Sequence, residues 1–279
     1  MTAAISSGLF YESASTFPAL TPSCPTGNCT WDEYTTLGIC AETQDISNLL
    51  TVTDFLTDTD SGDILGLPNG INSSSNGVLY TPMLLAVANS SFPSIAFNKS
   101  SIPASLTSYD TGKNFSVPVA DFFVIGRPNT PQEGLQAHVS QPYAVEVAIS
   151  FCVQTLTTET TNGQSSTDII AENDLFQLIQ GSGPANFTYT PPGQKETFIV
   201  TSQSADYITD YLTTMFHGAY TRAEDGNGEN GYPTDAIRAF VNATATPPYD
   251  VLAIKQVVAN LATSMSNAQV NVITLSIMC

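Results

Sequence analysis

Basic side chains are nearly absent from this sequence, with 7 Lys and Arg against 25 Asp and Glu in 279 residues and a formal net charge of -18. The first base is Lys99, so the N-terminal third builds its polar surface from Ser, Thr, Asn and Gln. A surface this poor in cations can neither neutralise phosphates nor release their counterions, which excludes nucleic acid and anionic lipid headgroups as partners. Histidine is as scarce: His138 and His217 lie far apart, and neither stands at a metal-ligand spacing. No apolar run reaches the roughly 18 residues of a membrane span. The residues from Met1 to Gly8 lack both the cationic start and the apolar core of a secretory leader. There is no Gly-x-Ser-x-Gly elbow, phosphate loop or Cys-His pairing, so the sequence offers no catalytic residue, cofactor site or metal site.

What is present is concentrated in Cys24-Pro25-Thr26-Gly27-Asn28-Cys29-Thr30-Trp31, which packs two cysteines, a Pro/Gly turn, an Asn-x-Thr acceptor and the only Trp into eight residues. Two cysteines five positions apart around such a turn can close a small disulfide loop, and an acceptor Asn inside it makes sense on a secretory-pathway surface. Asn28, Asn72, Asn89, Asn98, Asn114, Asn186 and Asn242 all stand in Asn-x-Ser/Thr with no intervening Pro, the pattern of N-glycosylation acceptors. With five cysteines one is left over, and Cys279, being terminal, is the natural candidate. The other four allow three connectivities. Cys24 with Cys29 and Cys40 with Cys152 is favoured, the first closing a turn and the second tying the N-terminal segment across the outer face of a strand.

That strand is the clearest element: from Tyr143 to about Thr157, Tyr143, Val145, Val147, Ile149, Phe151 and Val153 alternate with Ala144, Glu146, Ala148, Ser150, Cys152 and Gln154. Period two assigns the apolar set to the core and puts Cys152 on a polar outer face beside Glu146 and Gln154. Asn162-Gly163 suits a two-residue hairpin turn, with Gln164 to Ile170 as the return strand. Weaker strands read at Val78 to Val87, Val117 to Ile125 and Thr197 to Thr201. A helix carries Tyr207, Ile208, Tyr211, Leu212, Met215 and Phe216 on one face, with Ser204 as cap, Asp206 in the first turn and Gly218 at the end. Thr246-Pro247-Pro248 opens a second, in which Val251, Ile254, Val258, Leu261 and Met265 recur at helical spacing. Residues 58 to 76 and 224 to 231 read as exposed loops, and Thr190-Pro191-Pro192-Gly193 as a break.

Acidic motifs are weak. Asp60-Ser61-Gly62 and Asp110-Thr111-Gly112 have the triplet form of an aspartic-protease dyad, but neither ends an apolar strand. Asp58, Asp60 and Asp63, like Asp225, Asn227 and Glu229, place oxygens at short intervals without the Gly and closing Glu of a calcium loop. These are solvated acidic turns.

Ala3-Ala4-Ile5 through Gly8-Leu9-Phe10, CPTGNCTW from Cys24 to Trp31, Thr35-Thr36-Leu37-Gly38-Ile39-Cys40, Leu67-Pro68-Asn69-Gly70, and Cys152-Val153-Gln154-Thr155 with Asn162-Gly163 occur in that order. In this they resemble the non-cytoplasmic region of a family of fungal membrane proteins, catalogued as domain of unknown function three-one-seven-six. Ala259, Ser264, Met265 and Asn267 resemble the helix that precedes a final membrane span in that family. Thr43 and Val147 stand where the family tends to have cysteines, and Phe151 where it tends to have Trp, which implies one disulfide fewer.

The expectation is therefore one disulfide-bonded α+β domain over residues 1 to 279, mainly an antiparallel sheet with a long central hairpin and two or more packed helices. Its helix-rich part covers about 203 to 267. It would be an extracellular or secretory-lumen fragment of a longer fungal membrane protein, attached to the membrane only through segments outside these residues. Its role would be non-enzymatic, in interaction or sensing with a protein or glycan at the cell surface. The alternative is a secreted, aspartic-type acid hydrolase with a dispersed active site.

Overall fold

The computed structural model describes residues 8–9, 23–56, 61–68, 72–74, 83–88, 106–107, 114–115, 118–126, 142–173, 176–179, 186–195, 197–216, 218–222, 229–231, 234–243 and 251–277. In chain order the strands are β1 (Cys29–Asp45), β2 (Thr51–Leu56), β3 (Ser61–Gly66), β4 (Asn72–Ser74), β5 (Met83–Ala88), β6 (Leu106–Thr107), β7 (Asn114–Phe115), β8 (Pro118–Gly126), β9 (Tyr143–Thr161), β10 (Gln164–Asn173), β11 (Gln177–Ile179), β12 (Asn186–Tyr189), β13 (Phe198–Thr201), β14 (Gly218–Arg222) and β15 (Glu229–Gly231). The helices are α1 (Ser202–Met215), α2 (Asp235–Ala243) and α3 (Val251–Ile277). The main sheet runs β1-β9-β8-β5-β14-β15, with β10 also on β9, and its pairs are antiparallel. Smaller sheets join β2-β3-β4, β11-β12-β13 and β6-β7. The result is a disulfide-bonded α+β fold, mainly antiparallel.

β9 is the axis of the molecule. The odd-numbered set, Val145 to Val153, packs with Phe122 and Val124 of β8 under Leu212, Phe216, Phe240, Ile254, Leu261 and Met265 of the helices. Phe122 stacks on Phe216 with ring centroids 4.1 Å apart, and Phe240 closes the aromatic group. The helical stripes are thus core, as their spacing indicated, except at Tyr207, which is 67% exposed. Asn162 at φ 55° and Gly163 at φ 78° make the turn into β10, the positive dihedrals a two-residue hairpin needs.

Four expectations need correction. The even face of β9 is not an outer face: Cys152, Glu146 and Gln154 are 0%, 2% and 4% exposed. A second apolar cluster of Ile46, Leu65, Leu67, Phe123, Ile125 and Ala144 covers one end of that face, and buried faces on both sides are what the unbroken buried run of β9 records. The N-terminal segment does not cross this face; it lies alongside as β1, which the sequence reading missed because CTWDEYTTLGICAETQD lacks apolar alternation. α1 starts at Ser202 with Thr201 as its cap, whose side chain accepts from the Ser204 N–H at 3.2 Å; Asp206 lies beyond the first turn, and Gly218 begins β14. Residues 58 to 76 hold β3 and β4, and 224 to 231 hold β15, so neither stretch is only loop. α2 was also missed: nine residues long, it buries Ala236, Ile237, Ala239 and Phe240, too short for periodicity to single it out.

β1 is the edge of the main sheet, and α3 seals it. Ser266 Oγ accepts from the Ile39 N–H at 2.8 Å and donates to the Ile39 carbonyl at 3.1 Å. One buried hydroxyl thereby satisfies both backbone groups of a residue that would otherwise offer them for pairing. Among the described residues no helix is long and apolar enough to cross a membrane.

Candidate functional site

Both favoured disulfides form, Cys24–Cys29 and Cys40–Cys152, the second linking cysteines 112 positions apart. Cys40 pairs in register with Ser150, and Cys152 with Gly38, so the bridge joins diagonal neighbours on one face of β1 and β9. Glu172 lies close enough to these two sulfurs to form a three-ligand set on distance, but sulfur bonded to sulfur is not the thiolate that binds a metal. Glu172 instead accepts from Gln154 Nε2 at 2.9 Å. The Cys24–Cys29 loop sits against the β9–β10 turn, where the Gly163 N–H donates to the Gly27 carbonyl at 2.9 Å and the Asn162 N–H to Asn28 Oδ1 at 3.0 Å.

The distal half of β9, from Gln154 onward, is flanked by β1 and β10, and both flanking strands carry an extra residue at the same level. On β1, Asp32 and Glu33 fall between the pairs Trp31↔Thr158 and Tyr34↔Leu156; on β10, Ile170 falls between Ile169↔Leu156 and Ala171↔Thr155. Bulges re-aim side chains and cluster beside functional sites. Here they adjoin a cleft of about 350 Å³. Its floor is Thr35, Thr155 and Ala171, one row across the three strands, with Glu33 beside them; Glu172 borders the row, but its carboxylate turns to the other face, toward Gln154. The opposite wall is Tyr189 with the turn Pro191 to Gln194.

That wall is held by short-range chemistry. The Gln194 N–H donates to the Pro191 carbonyl at 3.1 Å with Gly193 at φ 80°, and Pro then Gly in the central positions is the composition of a type II turn. Thr190 and Thr197 hydroxyls meet at 2.8 Å below it. Tyr189 leans on Phe176, ring centroids 5.8 Å apart. Thr35 Oγ1 donates to Gln194 Oε1 at 2.9 Å, joining wall to floor. Because that bond occupies the amide oxygen, Gln194 Nε2 keeps its donors free among the described residues; the Glu33 carboxylate keeps its acceptors, and the Thr155 and Tyr189 hydroxyls keep both. None of these residues reads as a site residue from sequence, although Thr35, Thr155 and the Pro191–Gly193 break stand in segments that the sequence marks. The usable signal was Pro-Pro-Gly-Gln facing the long Thr-rich strand.

Other acids lie elsewhere. Asp121 of β8 and Glu146 of β9 are buried diagonal neighbours on the face that carries Phe123 and Cys152. Asp206 on α1 has its carboxyl pushed up to about 6 by burial and then by the Asp210 charge one turn on. None of the three lines the cleft. Of the acceptor asparagines, Asn28 is exposed, Asn186 half-buried at the start of β12, Asn72 in β4, Asn114 in β7 and Asn242 in α2. Asn89, Asn98, Cys279, both histidines, Asp58, Asp60, Asp225, Asn227 and the Asp110 triplet lie outside the described residues.

Compared with known proteins, the chain matches no family model, no curated protein and no solved structure.

Proposed function

We propose that this chain is a non-catalytic recognition domain of the cell exterior or secretory lumen, serving cell-surface interaction or sensing through the cleft between β1, β9, β10 and the Pro191–Gln194 turn. The observation that carries the reading is the pair of disulfides. Bonds of this kind persist in oxidising compartments and are rare where thiols are kept reduced, and Cys40–Cys152 is built into the axis of the sheet rather than placed at a reactive surface. The exposed acceptor Asn28 on the bonded Cys24–Cys29 loop fits the same compartment. The resemblance to a fungal membrane-protein ectodomain adds that the domain works as part of a membrane protein. A cleft open to solvent, whose free groups are hydrogen-bonding rather than nucleophilic, suits binding without turnover.

The test is expression behind a signal peptide in a eukaryotic secretory host. Non-reducing peptide mapping should recover both pairs, and glycosidase treatment should increase gel mobility. All four cysteines as free thiols, with no mobility shift, would remove the extracellular reading.

A further inference from the structure

We propose that the cleft binds a saccharide, an inference that deepens the recognition reading above and rests on it. Its free groups are mixed in kind. Glu33 accepts, Gln194 Nε2 donates, and the hydroxyls of Thr155 and Tyr189 do both. A sugar presents the matching set, because each ring hydroxyl donates and accepts and adjacent hydroxyls can share one carboxylate. Its C–H face needs an apolar surface, and the Tyr189 and Pro192 rings supply one.

Other ligand classes fit less well. An anion would meet the Glu33 carboxylate with no lining cation. A Lys or Arg side chain offers donors only, so it would satisfy Glu33 while setting donor against donor at Gln194 Nε2. A purely apolar ligand would strip water from four polar side chains without replacing their hydrogen bonds. The volume of about 350 Å³ is at the low end of ligand pockets, about 300–1,000 Å³, which suits one or two rings of a longer glycan rather than a folded surface. The site is also preorganised: the Thr35–Gln194 bond, the turn at Gly193 and the Phe176–Tyr189 contact fix wall and floor before a ligand arrives.

Saturation-transfer NMR on the intact, oxidised, enzymatically deglycosylated chain tests this. The probes are methyl glycosides of glucose, mannose, galactose and N-acetylglucosamine in both anomers, their homodisaccharides, and pentalysine as the cationic control. The expected result is transfer to ring protons of at least one sugar, weakened about tenfold by Gln194→Ala and by Glu33→Gln, both at exposed positions. Tyr189→Ala should abolish it. Three results overturn the proposal: no sugar shows transfer, transfer survives both substitutions at Glu33 and Gln194, or pentalysine binds and Glu33→Gln removes it. A peptide map of the same sample separates the failures. Intact disulfides without sugar binding defeat the saccharide assignment alone, whereas free thiols defeat the compartment on which it rests.

Discussion

The two halves of β9 are held by different physics. From Tyr143 to Val153 every residue is buried, the odd set against the helices and the even set partly beneath the cluster around Leu65 and Phe123. From Leu156 to Thr161 burial alternates, and the covered face is a ladder of hydroxyls: Tyr34 Oη, Thr158 Oγ1 and Thr167 Oγ1 in sequence at 3.3 and 2.9 Å, then Thr160 with Ser165 at 2.6 Å. Apolar area buried is worth about 25 cal/mol per Å², whereas an exchanged hydrogen bond nets only about 0.5–1.5 kcal/mol. The proximal half therefore carries the stability and the distal half carries the free polar groups. One strand thus ties a rigid core to a site that can afford exposed hydrogen-bonding groups.

The largest effect should come from cutting the bridge at the junction of the halves. A loop of over a hundred residues closed by Cys40–Cys152 is worth about 4–5 kcal/mol as an upper figure in the chain-entropy model. Cys152→Ser should lower the denaturant midpoint severely under oxidising conditions; an unchanged midpoint would mean the halves do not depend on it. Phe122→Ala, in the proximal core, should cost about 3–5 kcal/mol through the cavity left between Phe216 and Phe240.

On the distal side Thr158→Val breaks the ladder where it is most shielded and should cost only about 1 kcal/mol. A loss equal to that of Phe122→Ala would erase the contrast. The smallest effect concerns pH. Asp206 has its carboxyl raised to about 6 from 3.8, so its folded form favours the proton: the favourable contribution is complete below about pH 4 and lost as pH rises through about 6. Asp206→Asn should leave stability at pH 4 unchanged and raise it at pH 7 by about 1 kcal/mol or less, since the group is partly exposed and screened. Urea titrations at the two pH values check this, and an identical response at both would remove Asp206 from the account.

The same contrast governs what the sequence revealed. Val145, Val147, Ile149, Phe151 and Val153 alternate because one face meets helices, and Leu212, Val258 and Leu261 recur because they meet it, so the proximal half, its hairpin and both disulfides were legible. β1 was not, because Thr, Glu and Gln paired beside a hydroxyl ladder carry no hydrophobic period. The burial of Cys152 and Glu146 was not, because what covers them is remote in sequence. The cleft was least legible: Glu33 reaches it through a bulge, and bulges arise from pairing register, which no single strand encodes.

Hydrogen exchange along β9 in the native, oxidised protein tests the contrast most directly. The account predicts that amides from Val145 to Val153 exchange near the global unfolding limit, while those from Leu156 to Thr161 exchange earlier through local opening. Uniform protection from Val145 to Thr161 would contradict it, because the distal ladder would then be as firmly held as the core.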